Sequence, residues 1–211
     1  MDKKEAVKKI LQIFYNDYGE AECTLKYKEP LELLISTQLA AQCTDQRVNI
    51  VTDKLYRKYK NVHDFANADL KELEKDIKST GFFRNKAKNI KETCNILIEQ
   101  HNGQVPDTME KLLKLPGVGR KTANLILGDV FGIPGVVVDT HAKRLSNRIG
   151  LSQSDNPKKV EFDLMEVVPK KSWSKFCHQL VYHGRSVCKA RKPDCENCNI
   201  LKYCCYGQSR K

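Results

Sequence analysis

No stretch of the 211-residue sequence is apolar for long enough to cross a bilayer. The opening Met-Asp-Lys-Lys-Glu also lacks the apolar core of a secretory signal, so we expect a cytosolic, cytoplasmic chain. Without a lipidation motif or a basic amphipathic anchor, attachment to a membrane surface is disfavoured as well. Internal repeats and low-complexity linkers are missing, and no coiled coil or dimer surface is written in the chain, so we expect a monomer. Strand signals are scarce: Val136-Val137-Val138 is the only strand-like run, and it is too short to imply a sheet. Acidic residues are also outnumbered. The 26 Asp and Glu face 37 Lys and Arg, a formal charge of +11, which favours a polyanionic partner.

What is abundant is helical periodicity. Val7, Ile10, Leu11 and Phe14 form one stripe, and Pro30 opens a segment carrying Leu31, Leu34 and Leu39. Asp45 is a candidate cap for the stripe Val48, Val51 and Leu55. Leu70, Leu73 and Ile77 run up to Gly81, and Ala87, Ile90, Cys94 and Leu97 run up to Gly103. Asp107 and Glu110 resemble a capping box before Leu112, Leu113 and Leu115. Leu145 and Ile149 mark a further helix. Asn156-Pro157 is a cap with a first-turn proline, and Trp173, Phe176, Cys177, Leu180 and Val181 form a late stripe. The expected fold is all-α.

Nine cysteines stand out in a chain expected to be cytosolic, where disulfides are uncommon. Cys188, Cys195, Cys198 and Cys204 leave gaps of six, two and five residues, and four thiolates can close around zinc or an iron–sulfur core. Only Cys195 and Cys198 form a Cys-x-x-Cys pair; the unequal gaps favour a cluster and leave zinc open. Cys205 is chemically as eligible a ligand as Cys204. Cys205, where it is not a ligand, and Cys23, Cys43, Cys94 and Cys177 are expected as small buried hydrophobes. The segment from Lys171 to Lys211, which contains this cluster, carries nine basic and two acidic residues, Arg210 and Lys211 among the basic ones.

Leu115-Pro116-Gly117-Val118-Gly119-Arg120-Lys121-Thr122 lies between two helical stripes. Its glycines allow a tight turn with open backbone N–H groups, and a helix starting near Arg120 points its positive end the same way. That combination suits a DNA phosphate. It lacks the phosphate-loop signature, which argues against nucleotide hydrolysis. Lys121 is a candidate nucleophile: the helix start, Arg120 and partial burial would each favour its neutral amine. Asp139 is either a cap for the helix bearing Leu145 and Ile149 or a carboxylate that stabilises a cationic sugar and moves protons. One side chain can do both.

Taken in order, Ala41-Gln42-Cys43-Thr44-Asp45, Gly117 to Ala123, Val138-Asp139-Thr140-His141 and the four-cysteine loop resemble the endonuclease III family of helix-hairpin-helix DNA glycosylases. The resemblance spans nearly the whole chain. It implies a two-lobed all-α fold, with a six-helix module at about 22–133 and a second lobe joining 1–21 to 134–211. It further implies one 4Fe–4S cluster on Cys188, Cys195, Cys198 and Cys204, the spacing selecting Cys204 over Cys205. By the same resemblance Lys121 is the nucleophile and Asp139 the essential carboxylate of an enzyme that excises oxidised or otherwise damaged pyrimidines. The resulting abasic site would be cut by β-elimination through a Schiff base, the target base having been flipped from the duplex.

The implied partner is double-stranded DNA containing a damaged base or an abasic site. Gln42 would fill the vacated stack, and Phe82 lies where a second wedge is expected, an aromatic in place of the commoner aliphatic. Cys43 likewise stands where alanine is frequent. The DNA-binding set is completed by Gly117, Val118, Gly119, Arg120, His141, and Lys189, Arg191 and Lys192 of the first cysteine loop. A glycosylase of the same superfamily specific for mispaired adenine or thymine would lack a lysine at position 121.

Overall fold

The computed structural model describes residues 2–19 and 21–209; Met1, Arg210 and Lys211, whose residue types entered the sequence analysis, lie outside the described residues. Among the described residues every regular element is helical. The α-helices are α1 (Lys3–Tyr18), α2 (Pro30–Leu39), α3 (Asp45–Lys58), α4 (Val62–Asn67), α5 (Leu70–Asp76), α6 (Phe83–His101), α7 (Met109–Leu112), α8 (Arg120–Phe131), α9 (Thr140–Ile149), α10 (Pro157–Val167), α11 (Trp173–Ser186) and α12 (Cys205–Gln208). Single 3₁₀ turns lie at Lys78–Thr80, Lys170–Ser172 and Leu201–Tyr203. Among the described residues no helix is long and apolar enough to cross a membrane.

The chain forms two compact units, one of Cys23–Phe131 and one of Met1–Glu22 with Gly132–Lys211. In the first, α6 packs on α4 and α5, and α2 packs on α3, α6 and α8. Helix α2 is buried from Leu33 through Leu39, including Ser36, Thr37 and Gln38, so its polar groups must find partners inside. Ser36 Oγ meets Tyr56 OH at 2.7 Å, and Thr37 Oγ1 donates to Leu34 C=O at 2.6 Å. The α6 stripe of Ala87, Ile90, Cys94 and Leu97 is wholly buried. That helix stops where Asn102 turns left-handed (φ +53°) and Gly103 donates its N–H back to Leu97 C=O.

Two caps differ from the sequence expectation. Thr44, not Asp45, caps α3 by accepting from Arg47 N–H, while the Asp45 carboxylate takes the Thr24 hydroxyl instead. Thr108, not Asp107, caps α7 through Lys111 N–H, and Glu110 pairs with Lys114 at 2.9 Å rather than closing a capping box. In both cases a threonine and an acid stand side by side, and the start of the first turn selects which is used.

In the second unit, Val7, Ile10 and Phe14 of α1 are fully buried, and the Phe14 ring stacks on Phe176 of α11 with centroids 6.0 Å apart. Burial of each such side chain contributes roughly 1.5–3 kcal/mol. Val136, Val137 and Val138 are buried and form neither helix nor strand. Val137 N–H donates to Cys177 Sγ, and Gly135 exchanges bonds with Ser174 Oγ. This segment delivers the chain to the start of α9, which packs against α10, α11 and α12.

Candidate functional site

In the first unit the glycine hairpin leads straight into α8. Gly117 holds φ +73°, backbone that favours glycine, and a Cβ there would lie 2.9 Å from Asn89 Nδ2, so that side chain would have to shift. Gly119 has neither constraint: nothing lies within 4 Å of a Cβ built on it. Its carbonyl accepts the first bond of α8, from Ala123, and the amides of the following first turn lack intrahelical acceptors. Val118 faces inward, buried, with its N–H bonded to Leu115 C=O, so Gly117, Gly119 and the start of α8 form the outer edge. Lys121, second residue of α8, is exposed, where the sequence led us to expect partial burial. Behind the hairpin, Gln38 Nε2 donates to Pro116 C=O at 2.7 Å and to Thr93 Oγ1 at 2.9 Å. Gln38 and Thr93 escaped the sequence reading, and the only available signal was a polar side chain within an apolar run.

The same unit holds Gln42 and Phe82. Both are exposed, Phe82 to 63%, and both adopt left-handed backbone, at φ +55° and +49°. Only one other non-glycine among the described residues does so, Asn102 at the end of α6. Left-handed backbone costs an ordinary L-residue roughly 1–2 kcal/mol. Phe82 thus presents a large apolar ring to solvent from backbone that ordinary residues seldom adopt.

In the second unit Asp139 is half-buried and caps α9, its Oδ1 accepting from Ala142 N–H at 2.7 Å. His141 packs closely on Gly184, and its Nδ1 lies 3.3 Å from Arg144 Nη2. Further along α9, Arg144 donates to the carbonyls of Gly184 and Cys188. Arg148 donates to the carbonyls of Lys189 and Ala190 and to Cys188 Sγ at 3.2 Å. Its guanidinium also lies over the Tyr206 ring, 4.7 Å from the centroid. Helix α9 thus carries Asp139 at its head and grips the first cysteine loop with two arginines. Neither arginine was singled out in the sequence; their spacing of four residues on one helix was the available clue.

Cys188, Cys195, Cys198 and Cys204 line one hollow, together with Arg148, His183, Ile200 and Tyr206. Cys205 is not part of it: it is exposed, and its Sγ lies against Gly150. Among the described residues no three His, Cys, Asp or Glu side chains stand close enough to hold a single metal ion. Of the hollow's thiols Cys204 is buried and the other three are half-buried; desolvation pushes Cys198 up to about 11 and raises Cys204. A cationic ligand would reverse that preference by stabilising the thiolates. His183, held down to about 4 by burial, sits with Nδ1 2.7 Å from Tyr18 OH and Nε2 3.6 Å from Cys198 Sγ. Lys189, Arg191 and Lys192 are exposed on the loop between the first two cysteines. Of the other cysteines, Cys94 and Cys177 are buried as expected, and Cys23 and Cys43 only half-buried.

Residues 35–170 match the model of the HhH-GPD superfamily base excision DNA repair proteins. The chain is 49% identical over 208 residues to endonuclease III of Synechocystis sp., covering 98% of this chain and 95% of that one. It is 46% identical over 194 residues to endonuclease III of Bacillus subtilis, covering 92% and 89%. Among solved structures, a trapped endonuclease III–DNA covalent intermediate superposes with a TM-score of 0.94 at 44% identity, over 100% of this chain and 99% of that one. With its hairpin, its α9 cap and its four-thiol hollow in one all-helical chain of this likeness, the protein belongs to the endonuclease III family of base excision DNA repair proteins.

Proposed function

We propose that the chain removes oxidised or otherwise damaged pyrimidines from double-stranded DNA and then cleaves the abasic site by β-elimination. The observation that carries this reading is Lys121. It is an exposed amine in the first turn of α8, directly behind an open glycine hairpin. The relative caught as a covalent intermediate with DNA supports an amine that bonds to the sugar. As the free base, Lys121 Nζ adds to C1′ of the deoxyribose; the N-glycosidic bond breaks and the base departs with its electron pair and takes a proton. Ring opening gives a protonated Schiff base. Loss of a 2′ proton then expels the 3′ phosphate, and hydrolysis of the imine frees Lys121.

Asp139 contributes a fixed negative charge. Its cap bond to Ala142 orients it, and its carboxylate stabilises the cationic sugar and can take the migrating proton. Gly117, Gly119, Arg120 and the start of α8 would bind phosphate, with Val118 anchoring the turn; His141 joins the DNA contacts at the positive end of α9. Gln42 and Phe82 would enter the stack left by the flipped base, the aromatic ring between neighbouring bases. Lys189, Arg191 and Lys192 add a second phosphate contact.

Cys188, Cys195, Cys198 and Cys204 would hold one 4Fe–4S cluster. Four thiols share one hollow, and their unequal sequence gaps, with a single Cys-x-x-Cys pair, suit a cluster better than zinc. Bound, it would staple the basic loop in the shape that meets DNA. The protein would act as a monomer, cytoplasmic and nucleoid-associated. Incubation with duplexes bearing one oxidised pyrimidine tests this reading. Free base together with a strand ending in a 3′ unsaturated aldehyde is expected; base release from an intact strand would instead indicate a glycosylase without lyase activity.

A further inference from the structure

Gln42 and Phe82 sit in separate loops, yet one buried cation reaches both. Lys86, in the first turn of α6, is 5% exposed, and its Nζ donates to Leu39 C=O and to Thr80 C=O, each at 2.8 Å. Leu39 ends α2, three residues before Gln42, and Thr80 ends the 3₁₀ turn, two residues before Phe82. The Lys86 backbone N–H donates to Phe82 C=O itself, at 3.1 Å. A fourth bond closes the other loop, Cys43 N–H to Ala40 C=O, across the left-handed Gln42.

The chemistry of this contact is costly for a structural filler. Both acceptors are end-of-helix carbonyls without intrahelical donors, so an ammonium satisfies them well. No carboxylate is paired with Lys86 among the described residues, however, and burial lowers its affinity for a proton. A methionine of similar length would fill the same space without desolvating a charge. What methionine cannot do is tie together two main-chain segments about forty residues apart in sequence.

We infer that Lys86 is a positioning residue for base flipping: it fixes the Gln42 loop and the Phe82 turn to one another, so that both wedges enter the duplex as a single pre-set pair. The inference rests on the wedge roles proposed above. Pre-setting matters because these loops hold backbone that would otherwise relax, and a misplacement of about 1 Å can cost on the order of a hundredfold in rate.

Wild type, Lys86→Met, Gln42→Ala/Phe82→Ala and the triple variant can be compared in single-turnover assays. One substrate is a duplex with an oxidised pyrimidine opposite 2-aminopurine, whose fluorescence rises when the stack opens. The other is a single strand with a preformed abasic site, which needs no wedge. Lys86→Met is expected to slow excision from the duplex by on the order of tenfold to a hundredfold and to blunt the fluorescence rise. Its effect on the single strand should be several times smaller. In the variant without either wedge, Lys86→Met should add little, because it acts through them. Equal slowing on both substrates, or a full additional slowing without the wedges, would overturn the inference. Lys86→Gln, whose amide keeps a donor, covers the case in which the methionine variant does not fold and should show the same split in smaller size. Wild type that releases no base from any duplex sinks the functional reading instead, a failure distinct from either of these.

Discussion

Asp139 caps α9 and carries the catalytic charge in the proposed mechanism, two jobs that can be separated. Asparagine can still accept the Ala142 N–H, so Asp139→Asn should keep the α9 cap while removing the charge. We expect base excision to fall by on the order of a hundredfold or more with little change in melting temperature. Asp139→Ala should lose activity and also about 1 kcal/mol of stability. Matched rate assays and thermal melts check both; equal melts for the two variants would deny the cap its part. Lys121 and Asp139 could be picked out in the sequence because glycines and a cap motif flank them. Gln38, Lys86, Arg144 and Arg148 could not, because most of their partners are main-chain carbonyls of distant segments, and a carbonyl leaves no mark in residue type. The exposure of Lys121 was hidden for the same reason, since burial is a property of neighbours rather than of the residue.

Among the elements, the hairpin offers the sharpest contrast. Gly117→Ala must place a side chain on φ +73° backbone against Asn89, at a cost of roughly 1–2 kcal/mol. Gly119→Ala meets nothing and should stay within about 0.5 kcal/mol of wild type in a denaturant melt. Both are expected to weaken binding to an abasic-analogue duplex measured by fluorescence anisotropy. If Gly119→Ala binds as tightly as wild type, the open edge is not where phosphate sits. Helices themselves were legible from periodicity nearly throughout, and Asn156 with Pro157 starts α10 as its sequence suggests. Caps were less so, because Thr44 with Asp45, and Asp107 with Thr108, each offer two competent side chains and periodicity does not resolve which begins the turn.

For the molecule as a whole, a charge of +11 implies binding that weakens steeply with salt. Replacing Lys189, Arg191 and Lys192 together by alanine should flatten the plot of log affinity against log salt by about 0.9 for each phosphate no longer neutralised. An unchanged slope would return those three residues to the solvated surface. All-helical architecture and a four-cysteine site were expected from helical periodicity and cysteine spacing; the grip of α9 on that loop emerged only from the fold. The central claim is that Lys121 becomes bonded to the sugar. Borohydride reduction of the protein on a duplex with an oxidised pyrimidine should yield a covalent protein–DNA adduct, with the modified residue at Lys121 by peptide mass mapping and no adduct from Lys121→Ala. An adduct at another residue, or strand cleavage undiminished in Lys121→Ala, would contradict the account.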